Sequence, residues 1–273
     1  MKKVNTKSVS MYELNQVPSE AQIKKYFRGI LFGKNIFCPM CRSRSIVKYE
    51  GRYRCKRCRL KFSLLSHTWL KCMKLSYQKF WLVLWCWTNQ VPVKQTINLT
   101  YLSEEAVRRW YKEFREHLPQ DNRILEQIVQ LDEAFFKKNS LMMAKQTKTR
   151  KLAFQLFNTT NIQRHHAANF LHQYIKPKSK LRTDGAGIYK GIHKWWPVRH
   201  QYEVHSKWEF ELTSEIEGLF GNLRTFIRRM YHHVTPEKLP EVVREFSIRI
   251  SSPEIFDSPL NYLRKSLTLV PFD

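Results

Sequence analysis

Residues 38–58 read Cys38-Pro-Met-Cys41-Arg-Ser-Arg-Ser-Ile-Val-Lys-Tyr-Glu-Gly-Arg-Tyr-Arg-Cys55-Lys-Arg-Cys58. Two Cys-x-x-Cys knuckles separated by thirteen residues have the ligand spacing of a tetrahedral zinc ribbon. Four thiolates close the coordination sphere and leave no position for water. The Zn²⁺ expected at Cys38, Cys41, Cys55 and Cys58 is therefore structural and holds a fold without performing chemistry. A redox dithiol pair or scattered buried cysteines would be the plainer explanation, but a doubled knuckle is much more specific than a single one. The same stretch is basic: nine Lys and Arg residues lie between Arg42 and Lys61, against Glu50 alone.

That local charge continues through the chain. With 273 residues, a net charge of +25 and a pI near 10, the sequence points to a polyanionic partner, nucleic acid before an anionic membrane. The longest apolar run, Phe80 to Trp87, is too short to span a bilayer. Met1-Lys-Lys-Val-Asn-Thr-Lys has the basic start of a signal peptide, but no apolar stretch follows it. Four of six cysteines are committed to the knuckles, which fits a reducing compartment, with Cys72 and Cys86 expected in a core and not in a disulfide. Residues 1–120 hold 24 Lys and Arg against 7 Asp and Glu, whereas residues 121–273 hold 24 against 16. The first half is thus expected to grip a polyanion, and the second has carboxylates to spare.

Periodicity and turn chemistry divide the chain further. Ser19 and Gln22 form a capping-box pattern that opens a helix, and Gly33 is a suitable stop. Short strands are expected at Ile46–Tyr49 and Arg52–Arg54 around Glu50-Gly51, continuing at Phe62 and Leu64. Ser76 to Trp87 reads as an aromatic helix, Pro92 breaks it, and a short helix runs through Gln95-Thr96-Ile97. Ser103 then caps a helix whose apolar stripe is Val107, Trp110, Tyr111, Phe114 and Leu118. Arg108, Arg109, Lys112 and Arg115 lie outside that stripe. Helix, turn and basic helix suggest a helix-turn-helix DNA binder; a helical hairpin with a solvated charged face is the alternative. Beyond Pro119-Gln-Asp-Asn122, strands at Ile124–Phe136, Lys151–Asn158, Lys180–Thr183 and Val198–His205 alternate with helices at Ala167–Ile175, Ser214–Met230 and Pro236–Ile250. This order implies a mixed α/β layer architecture. The domains expected are 1–66 (helix plus ribbon), 67–120 (helix-turn-helix), 121–250 (α/β) and a tail at 251–273.

Three carboxylates in the second half are candidates for metal binding. Asp132 ends Ile128-Val-Gln-Leu-Asp-Glu-Ala, and Asp184 ends Leu181-Arg-Thr-Asp-Gly, both β-rich. Strand ends next to one another are about 4.7–4.9 Å apart, so two such aspartates can share a divalent cation. Glu217 lies on a helical stripe with Gly221, Arg224 and Arg228: an acid, a gap where backbone can approach, then two cations for phosphates. Hard oxygen donors favour Mg²⁺ or Mn²⁺. Taken singly, an Asp before Gly is most often a turn residue and a Glu early in a helix compensates its dipole. Glu133 rivals Asp132, strand alternation does not choose between them, and Glu211 and Glu215 rival Glu217.

Taken together, the segments resemble the zinc-ribbon-bearing DDE transposases of bacterial insertion sequences, relatives of the eukaryotic Merlin elements. The resemblance runs from Ser19 to about Ile250. It rests on Phe37-Cys-Pro-Met-Cys, Gly51-Arg-Tyr-Arg-Cys-Lys-Arg-Cys, Lys61-Phe-Ser, His67-Thr and Lys74-Leu-Ser-Tyr-Gln-Lys-Phe-Trp in the first half. In the second half it rests on Leu131-Asp-Glu, Thr183-Asp-Gly-Ala-Gly-Ile-Tyr, Val204-His-Ser-Lys, Ile216-Glu-Gly-Leu-Phe-Gly-Asn-Leu-Arg and Arg244-Glu-Phe-Ser-Ile-Arg. It implies a C-terminal ribonuclease-H-like catalytic domain in which Asp132 and Asp184 match the first two metal-binding aspartates. Many relatives carry Asn three residues before the Glu-Gly; here Ser214 stands there, a poor ligand, so the third role falls to Glu217. Arg224 stands where a lysine is common and keeps the charge while changing its geometry. The implied activity is metal-dependent DNA cleavage and strand transfer at terminal inverted repeats by a dimer or larger assembly, in the cytoplasm at the nucleoid. A zinc-ribbon DNA-binding protein from a domesticated or inactive copy, or a nuclease without strand transfer, are the alternatives.

Overall fold

The computed structural model describes residues 17–120, 123–203 and 213–270. The Met1–Lys7 segment, the whole Val204-His-Ser-Lys motif and Glu211 lie outside them, as does the end of the strand expected to reach His205. The chain divides into two compact units, one of Met1–Phe114 with Glu254–Asp273 and one of Arg115–Pro253.

In the first unit the capping box forms as its residue types require. The Gln22 N–H donates to Ser19 Oγ at 3.3 Å and the Ser19 N–H to Gln22 Oε1 at 2.8 Å, opening α1 (Glu20–Phe32). Gly33 ends it with φ 64°, a conformation that Gly adopts without strain. The ribbon is a three-stranded antiparallel sheet of β1 (Ile46–Tyr49), β2 (Arg52–Cys55) and β3 (Lys61–Phe62). Glu50 (φ 48°) and Gly51 (φ 72°) form the two-residue loop that sets the β1–β2 register, with Tyr49 opposite Arg52. Ser76 Oγ accepts from the Lys79 N–H at the start of α2 (Tyr77–Thr88). Then come α3 (Val93–Thr100), Tyr101 in the left-handed region, and α4 (Glu104–Glu116) with Ser103 Oγ accepting from Ala106. The Tyr111 hydroxyl bonds Thr96 Oγ1 and donates to the Val91 carbonyl, both at 2.7 Å, which locks α4 onto α3.

An aromatic cluster fills this unit. Phe80, Trp87, Trp110 and Phe114 pack with ring centroids 5.3–5.9 Å apart in tilted and edge-on pairs. The carboxyl-terminal residues join it: Trp87 meets Phe256 at 5.4 Å and, from α8 (Pro259–Ser266), Tyr262 at 5.1 Å. The Tyr262 hydroxyl donates to the Phe114 carbonyl at 2.9 Å and Trp69 Nε1 to that of Ser266 at 3.1 Å. Residues 251–273, set apart in the sequence as a tail, therefore include a core element. Cys86 is fully buried in α2, while Cys72 is exposed and not in a core.

The second unit is a five-stranded mixed sheet in the order β6-β5-β4-β7-β8, built from β4 (Ile128–Phe136), β5 (Asn139–Gln146), β6 (Leu152–Phe157), β7 (Lys180–Asp184) and β8 (Arg199–Glu203). The first three are antiparallel neighbours, and β7 and β8 run parallel to β4. This is the ribonuclease-H-like arrangement. β5 carries no alternation to announce it, because seven of its eight residues are buried. Val129, Leu131, Met142, Ala144 and Leu181 pack with Ala167, Phe170 and Leu171 of α5 (Arg164–Tyr174) on one face. The other face carries α6 (Ser214–Tyr231), whose Ile216 N–H donates to Gln130 Oε1 at 2.9 Å. Trp196 belongs to the first face, its Nε1 donating to the Ile175 carbonyl at 3.0 Å, so it packs and does not project.

Behind α6, α7 (Leu239–Ser251) buries an ionic network. Glu245, with no exposed surface, accepts from Tyr231 (2.5 Å) and from Arg249 Nε (2.9 Å) and Nη2 (2.8 Å). Arg115 donates to the Tyr231 hydroxyl at 3.0 Å and lies 3.6 Å from Glu241. Arg115 is thus buried and does not belong with the exposed cations of α4, a correction to its place in the sequence pattern. Removing one partner of a buried ionic network leaves the others desolvated and unpaired. Glu245→Gln is expected to lower stability in urea by about 3 kcal/mol, whereas Arg108→Ala, which breaks the exposed 2.7 Å pair with Glu104, should change it by under ~0.5 kcal/mol.

Candidate functional site

Two groups of side chains are arranged to hold cations. In the ribbon, the sulfurs of Cys38, Cys41, Cys55 and Cys58 all lie within 4.8 Å of one another. Cys38 and Cys58 are 3.4 Å apart and Cys41 and Cys55 3.6 Å. A tetrahedron with Zn–S bonds near 2.3 Å has edges of about 3.8 Å, so the four sulfurs fit the ion. Backbone N–H groups of Cys58 and Arg57 draw the Cys55 thiol down to about 6, with desolvation opposing them. Cys58 moves the other way, to about 12: the Leu60 N–H that lowers it is outweighed by desolvation and by the three neighbouring thiols. One thiolate in the cluster therefore blocks the next until a cation offsets their charge.

The second group lies midway along β4 and at the end of β7: Asp132, expected at a strand end, is the fifth of the nine residues of β4, whereas Asp184 is the last of β7. These strands pair in parallel with Ile128 opposite Lys180, Val129 opposite Leu181 and Gln130 opposite Arg182. Carried two residues further, that register sets Asp132 beside Asp184. Val129, Leu131 and Leu181 face α5 and Gln130 faces α6. Alternation then turns Asp132 and Asp184 toward the α6 face and Glu133 toward the α5 face. Where β7 ends beside the middle of β4 the three carboxylates nevertheless converge, each offering an oxygen within 4.8 Å of the others, a spacing suited to a hard divalent cation. Asp184 Oδ1 accepts from the Ala186 N–H at 3.2 Å, which turns the chain after β7, and Asp132 Oδ1 accepts from the Glu133 N–H at 2.8 Å. The Tyr189 hydroxyl donates to Glu133. Burial raises Glu133 to about 7; the Tyr189 hydrogen bond opposes this and the charges of Asp184 and Asp132 add to it.

Tyr189 is a participant that sequence reasoning passed over. It lies five residues beyond Asp184 inside a segment already singled out, but only the short turn of Gly187–Tyr189 brings its ring back under the site. Glu217 is not part of the three-acid group. It lies half-buried in the first turn of α6, accepting from Thr213 Oγ1 at 3.1 Å. The Gln130–Ile216 bond sets that turn against the face toward which Asp132 and Asp184 point. Glu215 is engaged elsewhere, 2.5 Å from Lys145 Nζ. Further along α6, Gly221, Arg224 and Arg228 are exposed, and a Cβ at Gly221 would meet nothing within 4 Å. In α4, Arg108, Arg109 and Lys112 are exposed; Arg108 pairs with Glu104 and Arg109 lies 6.0 Å from the Trp110 ring. No helix among the described residues is long and apolar enough to cross a membrane.

Two family models match the chain: a transposase zinc-ribbon domain over residues 18–61 and an ISXO2-like transposase domain over residues 124–250. Together they span more than half of the 273 residues. No curated protein matches. Among solved structures, a chain of the simian T-cell lymphotropic virus intasome in complex with PP2A regulatory subunit B56 gamma is 12% identical, covering 62% of this chain and 67% of that one with a TM-score of 0.35. The catalytic core domain of BIV integrase is 11% identical, covering 45% and 82% with a TM-score of 0.32.

Elemental analysis of the purified protein should give one zinc per chain, and Cys55→Ser should lose it. For Glu133 the sign follows from its raised value. The folded, metal-free protein keeps a proton there that the unfolded chain releases near 4.5, so this contribution to stability is present below that pH and lost as pH rises to about 7. Metal-free Glu133→Gln should match wild type near pH 4 and be more stable at pH 8, by on the order of 2–4 kcal/mol. A difference that stays constant across this range in urea titrations would mean that burial does not hold Glu133 protonated.

Proposed function

The chain belongs to the zinc-ribbon-bearing DDE transposases, and we propose that it is an insertion-sequence transposase that binds terminal inverted repeats and carries out metal-dependent strand cleavage and strand transfer. The observation that supports this most is the convergence of Asp132, midway along β4, with Asp184 at the end of the adjacent parallel β7 within a transposase domain. In this reading Asp132 and Asp184 hold Mg²⁺ or Mn²⁺, with Glu217 as the third carboxylate. When bound, the divalent cation offsets the charge that builds on the phosphodiester and favours deprotonation of the attacking oxygen. The protein's own part is to position and to bind. Arg224 and Arg228, exposed along α6, contact phosphates of the strand being cut, and the open surface at Gly221 lets its backbone approach. Arg108, Arg109 and Lys112 of α4 and the basic ribbon bind the double-stranded repeat. Acting on two ends calls for a dimer or a larger assembly.

A second reading of the third carboxylate has its own support, because Glu133 and not Glu217 lies within 4.8 Å of both aspartates. The face that Glu217 shares with Asp132 and Asp184 favours Glu217, while Glu133 is tied to buried Tyr189. Cleavage of a duplex carrying the gene's flanking repeats, with Mg²⁺ or Mn²⁺, tests the proposal. Wild type should cut at the repeat boundary and join the freed 3′ end to a target duplex, and Asp184→Asn should cut at least ~10³-fold more slowly. Glu217→Gln should lose as much, and Glu133→Gln less than about tenfold. Tight binding with no cutting would identify a DNA-binding protein, and cutting without joining would identify a nuclease.

A further inference from the structure

Four residues beyond Asp132, β4 ends at a pocket of about 330 Å³ that the proposed cleavage chemistry does not use. Its walls come from the end of β4 and the residue after it (Phe135, Phe136, Lys137) and from α6 and the segment after it (Arg224, His232, His233), with aliphatic side chains of α6, that segment and the start of α7 between them. The Asn139 side chain fastens the two walls together by donating to the Pro236 carbonyl at 3.2 Å. The Arg224 guanidinium stands 5.9 Å from the centre of the Phe136 ring. Among the described residues no carboxylate lines the pocket, whereas a lysine, an arginine and two histidines do.

Flat aromatic surface combined with cations and no acid suits a ligand that is itself a flat ring joined to an anion. A neutral apolar ligand would leave the cations without a partner, and a bare phosphate would leave the rings without one. The position narrows the source. At about 3.3 Å per residue, the pocket lies about 13 Å along β4 from Asp132, which is within a few nucleotides of a phosphate held at the carboxylates. Building on the proposed transposase reading, we propose that this pocket receives one unpaired nucleotide of the DNA strand engaged at the acidic centre. Its base stacks on Phe136, which the alternation along β4 places on the α6 side beside Arg224, and its phosphate is met by Arg224 and the neighbouring cations.

The test uses the full-length protein without divalent metal, so that no strand is cut. Two repeat-end duplexes are compared, one blunt and one with a four-nucleotide single-stranded extension containing 2-aminopurine. Affinity is read from an anisotropy dye on the duplex and stacking from 2-aminopurine fluorescence. Wild type should quench the 2-aminopurine and prefer the extended duplex by roughly tenfold, the scale of one base–aromatic stack. Phe136→Ala should lose the quenching and most of that preference while holding the blunt duplex within about twofold, and Phe136→Trp should restore both. Equal affinity for blunt and extended duplexes, or an abasic extension bound as well as the intact one, would overturn the proposal, the latter by showing a phosphate site only. Loss of metal-dependent cutting in a protein that keeps the quenching and the preference would count against the transposase reading and leave the pocket standing.

Discussion

Parallel pairing of β4 with β7 is the constraint on which the acidic centre depends. Asp132 and Asp184 are 52 residues apart in the chain, and the β4–β7 register carries them to the same level. Two carboxylates that close repel each other, so the rest of the sheet must hold them there. It does so with buried apolar residues on the α5 face and with the Gln130–Ile216 hydrogen bond on the other. Glu133, its proton held by burial and its oxygen by Tyr189, adds a third acid without forcing a third full charge into the metal-free protein. A divalent cation reverses that balance, since each carboxylate then gains by ionising.

The amino-terminal unit solves a different problem. A ribbon of two four-residue strands and one two-residue strand buries little by itself, and its thiols oppose one another until a metal joins them. The unit compensates with an aromatic cluster around Phe80, Trp87 and Phe114, closed by Phe256 and Tyr262 from the other end of the sequence. Its surface can then remain strongly basic. Some cations of the ribbon lie over aromatic faces, Arg42 at Phe37 and both Arg54 and Lys61 at Tyr49, and this orders them without neutralising them.

Much of this was legible in the chain because it is local. The capping box at Ser19, the Glu50-Gly51 loop, the helix break at Pro92 and the Ser103 cap each depend on residues a few positions apart, and each forms as the sequence predicts. Where the expectation missed, burial had erased the pattern. β5 is covered on both faces and shows no alternation, the terminal residues needed the Trp87 pocket before Tyr262 had a role, and Arg115 follows helical spacing but faces Glu241 and Glu245.

The sequence by itself determined the four cysteines of the ribbon, since metal chemistry fixes both residue type and spacing, and it marked Asp184 as a strand end, whereas Asp132, expected at a strand end too, lies midway along β4. It could not decide between Asp132 and Glu133, because alternation gives two faces and does not say which one is which. The tertiary structure sets the two side chains on different faces, by packing α5 against Val129 and Leu131 and anchoring α6 to Gln130. Those contacts assign Asp132 and Asp184 to one face and lead Glu133 to Tyr189, a partner 56 residues away that no local rule connects to it.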